Sequence, residues 1–365
     1  MSNKFQRNND IISVIIPHPY LLSRGEWLAF GISKILHSTV LVTKPLSIKP
    51  LIAFLLYNIL TFIKFLLKKQ RYSVVIVFNC FLFPMVYFLK KVNLINLLVY
   101  DDADYLPSFT NNIISKKLVS ILENFAISKA NVVISASQIL ANLRRRVNPN
   151  VCVVENGFSW RLCRCIDFIN TAPLSNRNFI YIGNIDFDYV HLDTIVRAFV
   201  KSEVLKESKL YIAGKGKDLS KLQSLIAGVT NVVLVSFTNV ADQVSVLKEG
   251  IFGLAPYRLK GSALFGVPLK IKEYMASGHC IIVSEIKPII YFIKKFGGCH
   301  YIINDPSNEE QVRKILEEAF VSYAENISSI INRISLSAKI ICHQYTWDKV
   351  IIKYIKCIKN IIMKF

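Results

Sequence analysis

The chain has 365 residues, too many for one ordinary core and comfortable for two domains. Its 52% apolar content and mean hydropathy of +0.38 place it at the apolar end of soluble proteins, compatible with large buried sheets or with a face on lipid. The net charge of +20 is spread, with 20 Lys+Arg against 8 Asp+Glu in residues 1–170 and 25 against 17 beyond, and it predicts attraction to polyanions without ranking lipid headgroups, nucleic acid or phosphorylated substrates.

The polar opening, MSNKFQRNND, lacks the charged, apolar and small segments of a signal peptide. IISVIIP (11–17) reads as a buried strand, and a loop through Arg24 and Gly25 leads into the helical pattern EWLAFGISKIL. STVLVTK follows as a strand, then the long apolar pattern LIAFLLYNILTFIKFLLKKQR (51–71). Its polar positions, Asn58, Thr61, Lys64, Lys68 and Arg71, form one narrow helical stripe, so the segment predicts a helix buried in the domain or lying in a membrane interface. A mid-segment lysine argues against a spanning helix.

YSVVIVFN (72–79) and LINLLVYDD (94–102) are strands around the short helical FPMVYFLKK. Next come the helical ISKKLVSILENFAISKA, the strand NVVISAS (131–137), the helical SQILANLRRR and the strand VCVVENG (151–157). Strands and helices that alternate, with strands apolar on both faces, predict a parallel sheet covered by helices.

A polar segment, NTAPLSNRN (170–178), reads as the linker to a second cycle. Its strands are FIYIGNI, KLYIAG (209–214), NVVLVSF (231–237), GIFGLAPY (250–257) and CIIVSE (280–285), with helical patterns between them, and the last helix, WDKVIIKYIKCIKNIIMKF, is amphipathic and basic. The eight cysteines show no CxxC pair, and Cys163 and Cys165 lack a matching cluster, so the expectation is free thiols, a reducing compartment and no metal site.

In open α/β sheets ligands sit at the carboxyl ends of strands, so the informative residues are expected there. VYDDADY places Asp101, Asp102 and Asp104 after a buried strand, where they could act as a general base, hold a metal or cap a turn. IAGKGK ends its strand in Gly214, Lys215 and Gly216, a pattern that serves a phosphate or a tight turn equally well. In PLKIKEYMASGHC (268–280), Lys270 and Glu273 open a short helical pattern that Gly278 closes. A helix start with a lysine suits a diphosphate and Glu273 suits a ribose diol, while a surface Lys–Glu pair reads the same residues blandly.

Taken in order, these segments resemble glycosyltransferases of the GT-B fold, which have two Rossmann-like doubly wound domains facing a nucleotide-sugar cleft. ANVVISAS and VCVVENGF resemble the last strand of the acceptor domain and its exit. FIYIGNIDFDYVHLDTIVRAF and KLYIAGKGKDLSKL resemble the opening of the donor domain, and YTWDKV the approach to the terminal helix. PLKIKEYMASGHCIIVS resembles "P.K..EYmA.GkPVv", the most specific of these motifs. The resemblance implies an acceptor-side domain over 1–170, a donor domain over 171–345 and a helix, 346–365, that crosses back to the first domain.

It further implies that Lys270 contacts the donor diphosphate and Glu273 the ribose, that Gly183, Asn184, Gly214, Lys215 and Tyr257 line the donor site, that Gly25 faces it, and that Asp101, Asp102 and Asp104 lie on the acceptor side. Phe265 stands where family-4 retaining enzymes carry a sugar-binding Glu, and Asn184 and Tyr189 stand where they carry Arg and Lys. The pattern is closer to a divergent branch that includes the inverting glucuronosyltransferase of xanthan assembly, which leaves the stereochemistry open. The expected activity is metal-independent hexosyl or glycuronosyl transfer from a nucleotide-diphosphate sugar to a glycan or lipid-linked acceptor. The expected location is cytoplasmic, peripheral on an anionic membrane surface, with no nucleic acid as partner. A GT-B sugar-nucleotide epimerase and a non-catalytic polyanion- or membrane-binding scaffold are the alternatives.

Overall fold

The computed structural model describes residues 12–16, 24, 27, 28, 31, 32, 34, 40–42, 59, 63, 71–78, 80–109, 112–165, 177–236 and 240–362. Gly25, the 51–71 segment apart from Ile59, Ile63 and Arg71, and the linker before residue 177 lie outside them. The chain divides into two units, residues 1–156 with 347–365, and residues 157–346.

The first unit is built on a parallel sheet ordered β2-β1-β3-β4-β5-β6. Its strands are β1 (Ile12–Ile16), β2 (Val40–Val42), β3 (Tyr72–Val77), β4 (Ile95–Asp102), β5 (Val132–Ser135) and β6 (Val151–Val153), and its helices include α1 (Phe83–Lys91), α2 (Ile113–Lys129) and α3 (Gln138–Arg144). In β3 successive residues bury on opposite faces, which is why the segment reads as an unbroken apolar run. Val75 and Val77 pack toward α1 with Phe83 and Val86, while Val74 and Ile76 pack with Leu28, Ile32 and the terminal helix α11 (Trp347–Ile362) through Val350, Ile351 and Tyr354. Gly31 lets that helix in, since a Cβ there would stand 2.1 Å from Ile351 Cδ1. Side chains cap the helix starts, with Asn112 accepting from the N–H groups of Ile114 and Ser115, and Ser137 from that of Leu140.

The second unit repeats the plan with a parallel sheet ordered β12-β11-β10-β7-β8-β9. The strands are β7 (Phe179–Ile182), β8 (Leu210–Ala213), β9 (Val232–Val235), β10 (Phe252–Ala255), β11 (Cys280–Ser284) and β12 (His300–Ile303). Helices α4 (Leu192–Val200), α5 (Leu219–Leu225), α6 (Val240–Leu247), α7 (Leu269–Ala276), α8 (Lys287–Phe296), α9 (Glu309–Glu325) and α10 (Ile327–Tyr345) connect and cover them. Cys280 and Ile282 bury on one face, with α4 and α9, and Ile281 and Val283 on the other, with α7 and α8.

Two sequence expectations need correction. The chain divides at 156/157 and not in the 170–178 stretch, because Phe158, Leu162 and Cys165 pack into the second unit's core beside Tyr345. The cysteines are not all free, because Cys163 is bonded to Cys342 across 179 positions of sequence, so cysteine usage no longer argues for a reducing compartment. Among the described residues no helix is long and apolar enough to cross a membrane.

Candidate functional site

Within the second unit, strand order reverses between β7 and β10, the point at which a parallel sheet opens a crevice at its carboxyl end. The turns after β7, β8 and β10 and the start of α7 are brought to that edge. Gly183, directly after β7, has φ +152°, a conformation side chains rarely adopt, and a Cβ there would lie 2.6 Å from Lys270 Nζ. Gly214, after β8, is packed against the same turn, since its Cβ would lie 1.9 Å from the Gly183 carbonyl oxygen. The Gly183 N–H donates to Ala213 O at 2.9 Å and the Ile185 N–H to Lys215 O at 2.9 Å, which stitches the two turns together. The close approach that Gly214 permits is therefore to the protein's own backbone. Gly214→Ala is expected to cost about 2–3 kcal/mol of stability by urea unfolding, because the atom it meets cannot rotate away.

Lys270, in the first turn of α7, is held over two aromatic rings, with Nζ 3.9 Å from the Tyr181 centroid and 5.2 Å from that of Tyr257. Burial lowers Lys270 to about 7 against the pull of Glu273. Glu273, one turn further, is raised to about 7, again by burial, although a hydrogen bond with Gln243 and the charge of Lys270 oppose the shift. The two groups thus sit poised near neutrality, a kind of shift that clusters at functional sites.

The helix carrying them is fixed independently of the pair. Tyr274 Oη accepts the Ile182 N–H at 2.8 Å, and Gly253 in β10 makes room for its ring, which a Cβ would approach to 2.5 Å. The helix closes through Gly278 (φ +80°) and the His279 N–H to Tyr274 O bond at 2.9 Å. His279 Nε2 donates to Leu247 O at 2.9 Å, and burial lowers this imidazole to about 4, so it is a neutral structural group.

Of the expected donor residues, Gly183, Gly214, Tyr257, Lys270 and Glu273 converge. Asn184 and Lys215 have exposed side chains and contribute carbonyls to the turns, Asn184 O accepting from Tyr181 Oη at 2.6 Å. Phe265 is half-buried and offers no hydrogen-bond acceptor. Tyr181 and Gln243 went unrecognised in the sequence. The position of Tyr181 two residues before Gly183 on a strand is a usable signal, since alternate residues share a face; nothing in VADQVSVL marks Gln243.

The acids of β4 belong to the first unit, and the structure separates them. Asp101 takes a bidentate pair from Arg24, Nε to Oδ1 at 2.9 Å and Nη2 to Oδ2 at 3.2 Å, and Arg24 also donates to Asn156 Oδ1 at 2.9 Å. Asp102 is bidentate to Arg144, at 2.9 and 3.0 Å, and accepts from Ser135 Oγ at 3.1 Å. Both carboxylates are buried and held by arginines, so the structure gives each of them a structural partner. Asp104 is half-buried with no salt bridge among the described residues, and burial, with Asp102 and Asp101 nearby, pushes it up to about 7 despite Arg24. It is the acid of the three suited to take a proton near neutrality.

Arg144 also reaches Glu123 Oε2 at 2.9 Å, so one cation serves two buried acids, and Glu123 is raised to about 7 by burial and by Asp102. Arg144→Ala is expected to cost about 3–5 kcal/mol in urea unfolding by stranding both acids. Among the described residues no group of three His, Cys, Asp or Glu side chains gathers as a metal site.

Residues 176–318 match the family model described as glycosyl transferases group 1. No curated protein matches the chain. The fold is similar to that of sucrose-phosphate synthase from Thermosynechococcus elongatus, with TM-score 0.73 and 11% identity over 98% of this chain and 100% of that one. It is also similar to HepE of Anabaena in complex with UDP-glucose (TM-score 0.68, 11% identity, 96% and 99% covered). The catalytic domain of starch synthase IV from Arabidopsis thaliana, bound to ADP and acarbose, matches with TM-score 0.69 and 10% identity over 97% and 99%. Two parallel-sheet α/β units with these likenesses make the fold GT-B.

Proposed function

We propose, from a GT-B fold whose residues 176–318 match glycosyl transferases group 1, that this chain transfers a sugar from a nucleotide-diphosphate donor to an acceptor hydroxyl. The observation that carries the reading is Lys270, half-buried over Tyr181 and Tyr257 at the switch point of the second sheet, with no salt bridge among the described residues. A diphosphate supplies a counter-charge. As the glycosidic bond to the leaving group breaks, negative charge grows on the diphosphate, and Lys270 with the N-terminal N–H groups of α7 stabilises it. Glu273, ionised once Lys270 is charged, accepts from the ribose diol.

Asp104 takes the proton of the acceptor hydroxyl if transfer inverts the sugar. Phe265, in place of a sugar-binding Glu, favours the divergent branch related to the xanthan glucuronosyltransferase over the family-4 retaining enzymes. The reading covers hexosyl and glycuronosyl donors alike, and none of these steps calls on a metal. The acceptor is proposed to be a glycan carried on lipid, which suits a chain of net charge +20.

The test is transfer of radiolabel from a panel of UDP-, GDP- and ADP-sugars into a membrane lipid extract. Label in the lipid fraction from one donor supports the reading. Isomerisation of a free sugar nucleotide without acceptor would establish an epimerase instead, and neither binding nor transfer would leave a scaffold.

A further inference from the structure

In the first unit, α2 turns an apolar face outward. Ile113 and Ile114 are 83% and 80% exposed, and Leu118 and Ile121 are 53% and 56% exposed. Ile114, Leu118 and Ile121 follow helical spacing and form one stripe, while Glu123, Ala126 and Ile127 bury the opposite side. Single exposed apolar residues are ordinary, but a contiguous stripe marks a contact surface.

The charges on the helix point to the partner. Lys116, Lys117 and Lys129 are exposed, whereas its one acid, Glu123, is buried against Arg144. Every exposed charge on α2 is therefore positive. The stripe has a neighbour in α1, which packs on α2 through Tyr87 and Phe125 at 5.5 Å and exposes Phe88, Lys91 and Val92. Ile59 and Ile63, four residues apart in helical conformation, are exposed in the same unit. Isoleucines flanked by lysines suit a lipid interface, where lysine stems lie along apolar surface and their heads meet phosphates. A protein partner fits less well because interface cores are depleted in lysine, and a second copy docked about a two-fold axis would bring Lys117 and Lys129 toward the same charges of its partner.

We propose that the outward face of α2 lies in the headgroup interface of an anionic bilayer, with Ile114, Leu118 and Ile121 at the apolar boundary and Lys117 and Lys129, which flank the stripe, against the phosphates. The functional meaning rests on the lipid-linked acceptor proposed above. The turn that carries Asp104 leads into Leu106, whose N–H donates to Glu123 of α2 at 3.2 Å, so seating α2 on the surface also fixes the Asp104 turn relative to it.

The test is flotation of the full chain with vesicles of phosphatidylcholine alone and of an equal mixture with phosphatidylglycerol. The native chain is expected to bind the mixed vesicles, more weakly as salt is raised. Ile114→Ser with Leu118→Ser should lower partitioning by about tenfold or more. Lys117→Ala with Lys129→Ala should reduce the preference for phosphatidylglycerol and the salt dependence. All four side chains are exposed, so unchanged thermal melts are expected. Binding by both variants equal to the native chain would overturn the proposal, as would failure of the native chain to float. So would a native dimer that the isoleucine and leucine changes dissociate, since that assigns the face to a second copy. Nucleotide titration on the same preparations reads the donor site separately, so either reading can fail alone.

Discussion

Lys270→Ala is expected to lower kcat/KM for glycosyl transfer by about two to three orders of magnitude, the loss usual when a principal stabiliser of a developing anion is removed. The size follows from where the lysine sits. Its Nζ is held beside the Tyr181 ring and Gly183 in a half-buried position, so the charge it offers a diphosphate is less screened than on an open surface. Stability should move the other way. A half-buried lysine with its affinity for protons lowered destabilises the empty fold, so the alanine variant should melt no lower than the native chain. Lost transfer together with lost stability would identify Lys270 as a structural residue.

Asp104→Asn is expected to reduce kcat by about 10²- to 10⁴-fold if transfer inverts, with donor affinity unchanged. The native enzyme should gain activity as pH rises through about 7, where Asp104 loses its proton and becomes a base, and the variant should lose that rise. Asp101→Asn should behave differently, because Asp101 is the partner of Arg24, and its loss should appear first in unfolding measurements. An Asp104→Asn enzyme with full kcat and an unaltered pH profile would take the base role away from this residue.

Much of the fold was legible because parallel strands buried on two faces write continuous apolar runs, as in YSVVIV and CIIVS. Edge strand β12 and the long helices α9 and α10 were not read, since HYII is short and the helices carry mixed faces with no cap signal beyond Asn308. The Lys270 and Glu273 pair was visible as a motif, but its environment was not. Tyr181 and Gln243 come from other elements, and no spacing rule joins them to α7. The same limit explains the acids. In sequence Asp101, Asp102 and Asp104 are equivalent, and only the long-range arrival of Arg24 and Arg144 separates two structural carboxylates from one poised near neutrality. The disulfide was illegible for a like reason, since its cysteines are 179 positions apart.

The central claim, that a nucleotide diphosphate is bound by the Lys270 and Glu273 pair, is tested most directly by calorimetric titration of UDP in buffers of different ionisation enthalpy. In the empty site both groups change charge near 7; binding holds Lys270 protonated and Glu273 ionised. Above that pH the empty site has lost the lysine proton, so binding should take one up. Below it Glu273 holds a proton, so binding should release one. The predicted result is proton release at acid pH that turns to uptake at alkaline pH, with the uptake lost in Lys270→Ala. Absence of nucleotide binding, or equal binding by native and Lys270→Ala chains with no proton exchange at either pH, would contradict the account.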